Sequence, residues 1–455
     1  MNSHDLIIIG GGPAGYPLAL RAAKKGWKVA LIDGDQIGGT CLNWGCIPTK
    51  ALLSSAKGYH FLKNCENLGL QTTKPGFSWE KIISRKDKVV SEFRTGIQKL
   101  LDKSGVKVVS GHARLFSGNR ILVKGSENWE GSAGKICLAV GSKPFIPEAF
   151  NKIRNLCWTS DEAINAKKIP EDLLIIGGGV IGLELGQVFN EFGSRVTIVE
   201  MMTQILPGLD STTAKRVLPV FKKIGMEFLI GQKVEKCVEN GSNVEVEING
   251  EKRRFSQVLL AIGRKPNLSV LSETGMTLEM KGSAIAVNEK YETSLKDVYA
   301  IGDCIPGPML AHRASYDAGI LSSQWSGKTE VPDYSNVPSC VYTYPEIAWV
   351  GMSEENAKGS GAAYKVGRFL FSANGKALSS GEYDGQVKTI VNGEGKLLGA
   401  VIWGPEASNL IIEGVLARQF GIDLHKFSKV IHPHPTLTEV FLEGFENALG
   451  ESIHG

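Results

Sequence analysis

Cys41 and Cys46 stand five positions apart in the run Gly38-Gly39-Thr40-Cys41-Leu42-Asn43-Trp44-Gly45-Cys46-Ile47-Pro48-Thr49-Lys50. This stretch reads as the start of a helix. Cys46 to Ala56 are good helix formers, and Pro48 falls where a first helical turn tolerates proline. A bridge between the two sulfurs would close a very small loop, and tight disulfides are the readily reduced ones. Thiols near a helix N-terminus have lowered pKa values, so the reduced pair would be reactive thiolate. Taken alone, the same spacing fits two buried cysteines that never bond. What surrounds the pair decides between these readings.

The segment that precedes it is a complete βαβ unit. The apolar strand Leu6 to Ile9 runs into Gly10-Gly11-Gly12-Pro13-Ala14-Gly15, a helix follows to about Gly26, and a second strand, Lys28 to Ile32, ends at Asp33. Gly10, Gly12 and Gly15 permit a tight turn, close approach of a pyrophosphate, and close helix–strand packing. Asp33 lies 23 residues after Gly10, where an acid can bond ribose hydroxyls. The pattern repeats at Leu173 to Ile176, Gly177-Gly178-Gly179-Val180-Ile181-Gly182, a helix from Leu183 to Phe192, and Arg195 to Val199 ending at Glu200. Both units keep three glycines and the acid, which favours two live nucleotide sites over a duplication with one dead. Glu200 points to NAD in the second. A carboxylate there bonds the 2′-hydroxyl and repels a 2′-phosphate, and Met201, Met202 and Thr203 supply no cation to hold one.

Two matching segments bracket the second unit. Strand 136–140 leaves through Gly141-Ser142-Lys143-Pro144, and strand 258–262 through Gly263-Arg264-Lys265-Pro266. Such exits suggest that the second domain is inserted into the first. The chain returns through Thr293 to Asp303, where a strand feeding Gly302-Asp303 sets a carboxylate beside backbone amides. The expected division is 1–145 (first nucleotide domain), 146–268 (second), 269–335 (a central segment completing the first) and 336–455, a separate domain with no Gly-rich turn. Trp79 to Leu101 reads as one long amphipathic helix.

Composition narrows the field further. A chain of 455 residues with 54 glycines suits a multidomain α/β protein with many tight turns. The formal charge of +4, without a basic cluster, does not argue for nucleic acid. Eight cysteines at irregular spacing do not form a secreted disulfide framework, and we read no metal-ligand set among them. There is no uninterrupted apolar run long enough to span a membrane. A strand begins almost at the first residue, so no leader peptide is expected and cytoplasmic location is the default.

Together these residues resemble the flavoprotein disulfide reductases, in order and over essentially the whole chain. The resemblance rests on Gly10-x-Gly12-x-x-Gly15, the Cys41/Cys46 block, Gly177 to Glu184, Thr293 to Asp303, and His434-Pro435-Thr436-Leu437-Thr438-Glu439. It implies an α/β fold of two Rossmann-like domains, an FAD domain with an inserted NAD domain, and a C-terminal α+β dimerisation domain. It implies that FAD is held by Gly10, Gly12, Gly15, Asp33, Lys50, Gly141, Asp303 and Ala311. NAD would be held by Gly177, Gly179, Gly182, Glu200 and Gly263. Cys46 would be the thiolate facing the flavin and Cys41 the thiol that meets the substrate. Lys50 and Glu184 would sit beside the reacting edge of the flavin. His434 would be the catalytic base, oriented by Glu439 and lent to the partner's site in an obligate homodimer. That chemistry suits an imidazole titrating near neutrality with a carboxylate fixing its tautomer. His432 is taken as structural.

The activity implied is oxidation of carrier-bound dihydrolipoamide with NAD, by a partner of the lipoyl domain and acyltransferase core of a 2-oxo acid dehydrogenase or glycine cleavage complex. A glutathione-type reductase would want basic residues after Glu200, and a mercuric one an extra cysteine pair in the tail, which 449–455 lacks. A scaffold without turnover would not need Cys41, Cys46, His434 and Glu439 together. By the same resemblance, Val140 and Arg313 depart from common family residues and Tyr344 occupies a variable position, none of them touching the reacting groups.

Overall fold

The computed structural model describes residues 2–125, 128–272 and 274–454. Its first sheet has seven strands. Six run in the order Lys107–Ser110, Val29–Asp33, Asn2–Ile9, Trp129–Leu138, Arg120–Lys124 and His112–Phe116, and Val298–Ala300 pairs with Trp129–Leu138. Ile9 lies parallel to Ile32 on one side and Leu138 on the other. Leu6, Ile7 and Ile8 are fully buried, as a central parallel strand covered on both faces requires. The late strand 298–300 brings Gly302-Asp303 back beside the first glycine turn, because Ala300 registers with Leu138.

A second sheet has the order Glu227–Ile230, Arg195–Glu200, Asp172–Ile176, Gln257–Leu260 and Cys157–Trp158, all parallel. The antiparallel strands Val234–Asn240, Asn243–Ile248 and Glu251–Phe255 lie beside it. The two glycine turns are built alike. A Cβ on Gly10 would lie 2.1 Å from the Ala139 carbonyl oxygen, and one on Gly177 2.4 Å from that of Ala261. Any side chain there would therefore push the turn off the neighbouring strand.

The two exits noticed in the sequence are hydrogen-bonded to each other. Ser142–Pro144 pairs antiparallel with Arg264–Pro266, so a two-stranded ribbon joins the nucleotide domains. The C-terminal sheet, in the order Ser339–Val341, Glu346–Gly351, Leu397–Gly404, Gln386–Asn392 and Tyr364–Leu370, is antiparallel throughout. Its core is shared with helices Ala407–Gln419 and Glu439–Leu449 through Leu410, Ile411, Phe441 and Phe445. Among the described residues no helix is long and apolar enough to cross a membrane.

One local expectation is refined. The cysteine block holds two helices, Gly39–Asn43 and Cys46–Asn64, with Trp44 and Gly45 between them. The side-chain amide of Asn43 causes the break. It donates to the carbonyls of Gln36, Ile37 and Gly39, turning the chain back on itself. Arg94, on the long helix Trp79–Lys103, fixes Asn43 in turn through Nε and Nη2 at 3.0 and 2.9 Å from Oδ1.

Candidate active site

Because the second helix starts at Cys46, that sulfur sits in the first turn, where unpaired amides favour negative charge. Cys41 sits in the preceding short helix, and the two thiols are hydrogen-bonded to one another. The pair is electrically asymmetric. The Cys46 thiol is lowered to about 7, first by the hydrogen bond from Cys41, against burial, and then by the Lys50 ammonium. Cys41 is pushed up by that same hydrogen bond and by burial. A single proton shared by the reduced pair therefore stays on Cys41 and leaves Cys46 as thiolate.

Lys50 follows Cys46 by about one turn. Its Nζ lies 3.0 and 2.8 Å from the two carboxylate oxygens of Glu184, on the helix Val180–Glu191 of the second unit. Glu184 also accepts from the Tyr342 amide at 2.9 Å, and the Lys50 ammonium lies 4.4 Å from the Tyr342 ring centroid. Three parts of the chain thus meet at one ion pair: the cysteine helix, the second nucleotide unit and the turn after the first strand of the C-terminal sheet.

A cavity of about 2030 Å³ joins these groups to both glycine turns. That is roughly twice the upper end for a pocket that holds one drug-sized ligand, and suits two dinucleotides end to end. Gly10, Gly12, Asp33, Gly141, Asp303 and Ala311 line one arm, and Gly177, Gly179, Glu200 and Gly263 the other. Cys41, Cys46, Lys50 and Glu184 lie along the same wall-to-wall space. Gly15 and Gly182 do not line it. They sit behind their turns, where a Cβ would come 1.8 Å from the Gly10 oxygen and 2.1 Å from the Gly177 oxygen, so their service is helix–strand packing.

The two strand-end acids have a second task beyond facing the cavity. Asp33 accepts from the Gly11 amide at 2.6 Å, and Glu200 from the Gly178 amide at 2.7 Å and the Met202 amide at 2.7 Å. Each ties its strand to its own glycine turn, and each carboxylate keeps lone pairs for a ribose. Burial raises the Asp33 carboxyl, against the amides of Asp35 and Gly11.

Ser142, Arg264 and Asp317 contribute here and were not marked by sequence reasoning. Asp303 accepts from Ser142 Oγ at 2.7 Å, and that oxygen accepts from Arg264 Nε at 2.8 Å. The paired exits therefore deliver a relay to Asp303. The matching Gly-x-Lys-Pro exits were the available signal, but their pairing was not. Arg313 is fully buried beneath the same turn. It donates to the Gly302 and Pro306 carbonyls at 3.0 and 2.8 Å and faces Asp317 at 3.2 Å. Asp317 accepts from the Gly302 amide at 3.0 Å, so the turn carrying Asp303 is held from behind by a closed charge pair.

His434 and Glu439 form a pair of their own. His434 Nδ1 is 2.8 Å from Glu439 Oε1, and Glu439 Oε2 accepts from the Thr436 amide at 2.7 Å. Burial would raise the Glu439 carboxyl, but the Thr436 amide and His434 outweigh it and hold it low. The His434–Pro435 peptide is cis. The His434 side chain is 79 % exposed, and neither His434 nor Glu439 lines the cavity that the cysteines face. His432 instead packs inward, with Nδ1 3.0 Å from the Val430 carbonyl and Nε2 3.5 Å from Glu413.

Comparison with known proteins agrees with this architecture. Residues 4–318 match the family model for pyridine nucleotide-disulphide oxidoreductases, and 337–444 match the dimerisation domain of the same family. A dihydrolipoyl dehydrogenase of Thermus scotoductus is 39% identical, over 100% of this chain and 99% of that one. One of Zymomonas mobilis is 37% identical over 99% of each. Among solved structures, LpdA of Mycobacterium tuberculosis superposes with a TM-score of 0.89 at 26% identity, covering 98% of this chain and 99% of that one. The HOCl-induced flavoprotein disulfide reductase RclA of Escherichia coli, in its Cu(II) complex, does so with 0.89 at 28% identity and the same coverage. With glycine turns, cysteine pair, inserted domain and C-terminal sheet all in family order, this chain belongs to the pyridine nucleotide-disulphide oxidoreductases.

Proposed function

We infer that the chain oxidises protein-bound dihydrolipoamide to lipoamide and reduces NAD to NADH, through the Cys41/Cys46 pair and FAD. The observation that carries this reading is the single cavity in which Cys46 and the Lys50–Glu184 pair lie between the two glycine turns. The first turn, with Asp33, Lys50, Gly141, Asp303 and Ala311, would hold FAD. The second, with Gly177, Gly179, Glu200 and Gly263, would hold NAD, and Gly182 packs behind that turn. Bound there, FAD supplies a two-electron relay between a dithiol and a nicotinamide.

The chain's own groups do the sulfur chemistry. His434 takes a proton from one substrate thiol, and the resulting thiolate attacks Cys41 Sγ. The Cys41–Cys46 bond breaks, and Cys46 leaves as thiolate, the better leaving group because its pKa is the lower of the two. The second substrate thiol then attacks the substrate sulfur of the mixed disulfide and expels Cys41. The substrate loses two electrons and two protons. The electrons pass to the cysteine pair, one proton ends on Cys41, and the other on His434.

Since His434 lies outside the cavity of its own chain, it serves the cysteines of a second copy related by a two-fold axis. The exposed apolar face of helix Ala407–Gln419, with Ile412 and Leu416, the Phe420 that caps it and Ile431 at 94 % exposure, supports such an association. The domain division is 1–145, 146–268, 269–335 and 336–455, and the partner is the lipoyl domain and acyltransferase core of a cytoplasmic 2-oxo acid dehydrogenase complex.

Steady-state turnover with dihydrolipoamide, glutathione disulfide and mercuric ion, each with NAD(H) and NADP(H), tests the reading. Dihydrolipoamide with NAD should be fastest. Faster reduction of glutathione disulfide or mercuric ion by NADPH would overturn it.

A further inference from the structure

The helix Val180–Glu191 opens the second nucleotide unit, and one of its faces carries Glu184, Gln187 and Glu191 at helical spacing. All three are buried, with relative exposures of 3%, 0% and 5%. Burying two carboxylates and an amide costs free energy unless each is matched, and each is. Glu184 holds Lys50, as above. Gln187 is satisfied at both ends by one residue: Nε2 donates to the Tyr344 carbonyl at 2.6 Å, and Oε1 accepts from the Tyr344 amide at 2.8 Å. Glu191 accepts from the Tyr344 hydroxyl at 2.8 Å, lies 3.1 Å from His60 Nδ1, and ion-pairs with Lys63. The His60 and Tyr344 rings are 5.0 Å apart.

His60 and Lys63 lie on the same helix as Cys46 and Lys50. The cysteine helix is thus pinned to the nucleotide helix at two points, Glu184 and Glu191, roughly 10 Å apart along the latter. One pin would allow the helices to pivot. Two pins, with Tyr344 clasped between them, remove both pivot and slide. The same helix begins at the second glycine turn, so its lateral position sets where anything held by that turn lies relative to Cys46. Burial would raise the Glu191 carboxyl, but His60, Lys63 and Tyr344 hold it low, as a fully engaged anion should be.

We propose that Gln187, Glu191 and His60 form a second clamp beside Lys50–Glu184 and act as positioning residues for electron transfer on the nicotinamide side. The clamp fixes the inserted unit against the cysteine helix. Misplacement of reacting groups by about 1 Å can cost up to a hundredfold in rate. Loosening the clamp therefore slows exchange with NAD and weakens its binding, while exchange between dithiol and cysteines continues. This rests on the assignment of the second turn to NAD. If that assignment failed, the parent enzyme itself would show no reduction by NADH.

The test uses the purified full chain with its FAD, and the variants Glu191→Leu, Glu191→Gln and His60→Phe. His60→Phe keeps a ring on Tyr344 and removes the bond to Glu191. Flavin reduction is followed by stopped flow, once with NADH and once with dihydrolipoamide, and NADH affinity by fluorescence titration. For Glu191→Leu, reduction by NADH should fall roughly tenfold and affinity should weaken, with reduction by dihydrolipoamide within about twofold of the parent. His60→Phe should move the same way by less, and Glu191→Gln should recover most of the loss. Should Glu191→Leu fail to fold, His60→Phe decides. Equal loss in both half-reactions, or unchanged NADH binding and reduction in a folded variant, would overturn the clamp.

Discussion

At Lys50 the ammonium is 31 % exposed and the carboxylate that holds it 4 %, whereas at His434 the imidazole is 79 % exposed and its carboxylate 23 %. Both pair a side-chain nitrogen with a carboxylate at 2.8 Å, yet one is closed within the chain and the other stands on its surface. The inner pair is overdetermined, with Tyr342 bonded to it and Gln187 and Glu191 clamping the helices on which it rides. The outer pair is fixed by the Thr436 amide, in a short loop that Asn374 holds through the Thr436 carbonyl at 3.0 Å. The electron-transfer end needs a fixed, dry arrangement that one chain can build. On the proposed reading, the thiol end must admit a carrier-bound substrate and takes its base from a second copy. This division locates where each substitution should act.

The largest effect should come from removing the sulfur that joins the two ends. Cys41→Ser should lower dihydrolipoamide turnover by about 10⁴-fold or more, because no mixed disulfide can form, while NADH-to-dye transfer persists. Loss of both would place Cys41 in the inner region instead. Next, His434→Gln should reduce dithiol turnover by roughly 10²–10⁴-fold and leave dye reduction intact. Mixing it with a Cys41→Ser chain should restore part of the activity if the base is lent between copies. Mixed dimers as inactive as either parent would favour a base acting within its own chain.

The inner region is probed by pH. With Cys46 lowered to about 7, the thiolate should be half-formed near that pH, persist above it and fade below. In Lys50→Met the midpoint should move upward, since the attraction that favours the anion is gone. Thiolate absorbance of the reduced enzyme against pH measures this, and an unmoved midpoint would remove Lys50 from the account. The smallest effect should be in cofactor choice. Glu200→Ala should narrow the preference for NADH over NADPH by about 1–2 kcal/mol, the order of one lost charged hydrogen bond. Relative kcat/KM for the two cofactors reads it directly.

Much of this was legible in order along the chain. The glycine turns, the strands ending at Asp33 and Glu200, and the cysteine block are local patterns whose chemistry depends on neighbours a few residues away. For the same reason the long helix at 79–103 was readable from its amphipathic spacing. Glu184 was identified only by resemblance. Gln187 and Glu191, on the same face of the same helix, carried a weak signal as polar positions on an apolar helix, which sequence reasoning passed over.

What the sequence by itself determined is the list of local devices: two dinucleotide turns, a close pair of thiols, an imidazole with an acid five residues on. Only the tertiary structure decided which devices meet. Lys50 and Glu184 are 134 residues apart and Gln187 and Tyr344 157 apart, distances over which no periodicity reports. Their pairing depends on how a helix of the inserted unit crosses the cysteine helix, and that crossing is set by burying apolar surface from three domains at once. The same packing leaves the His434–Glu439 pair exposed, outside the cavity that the cysteines face.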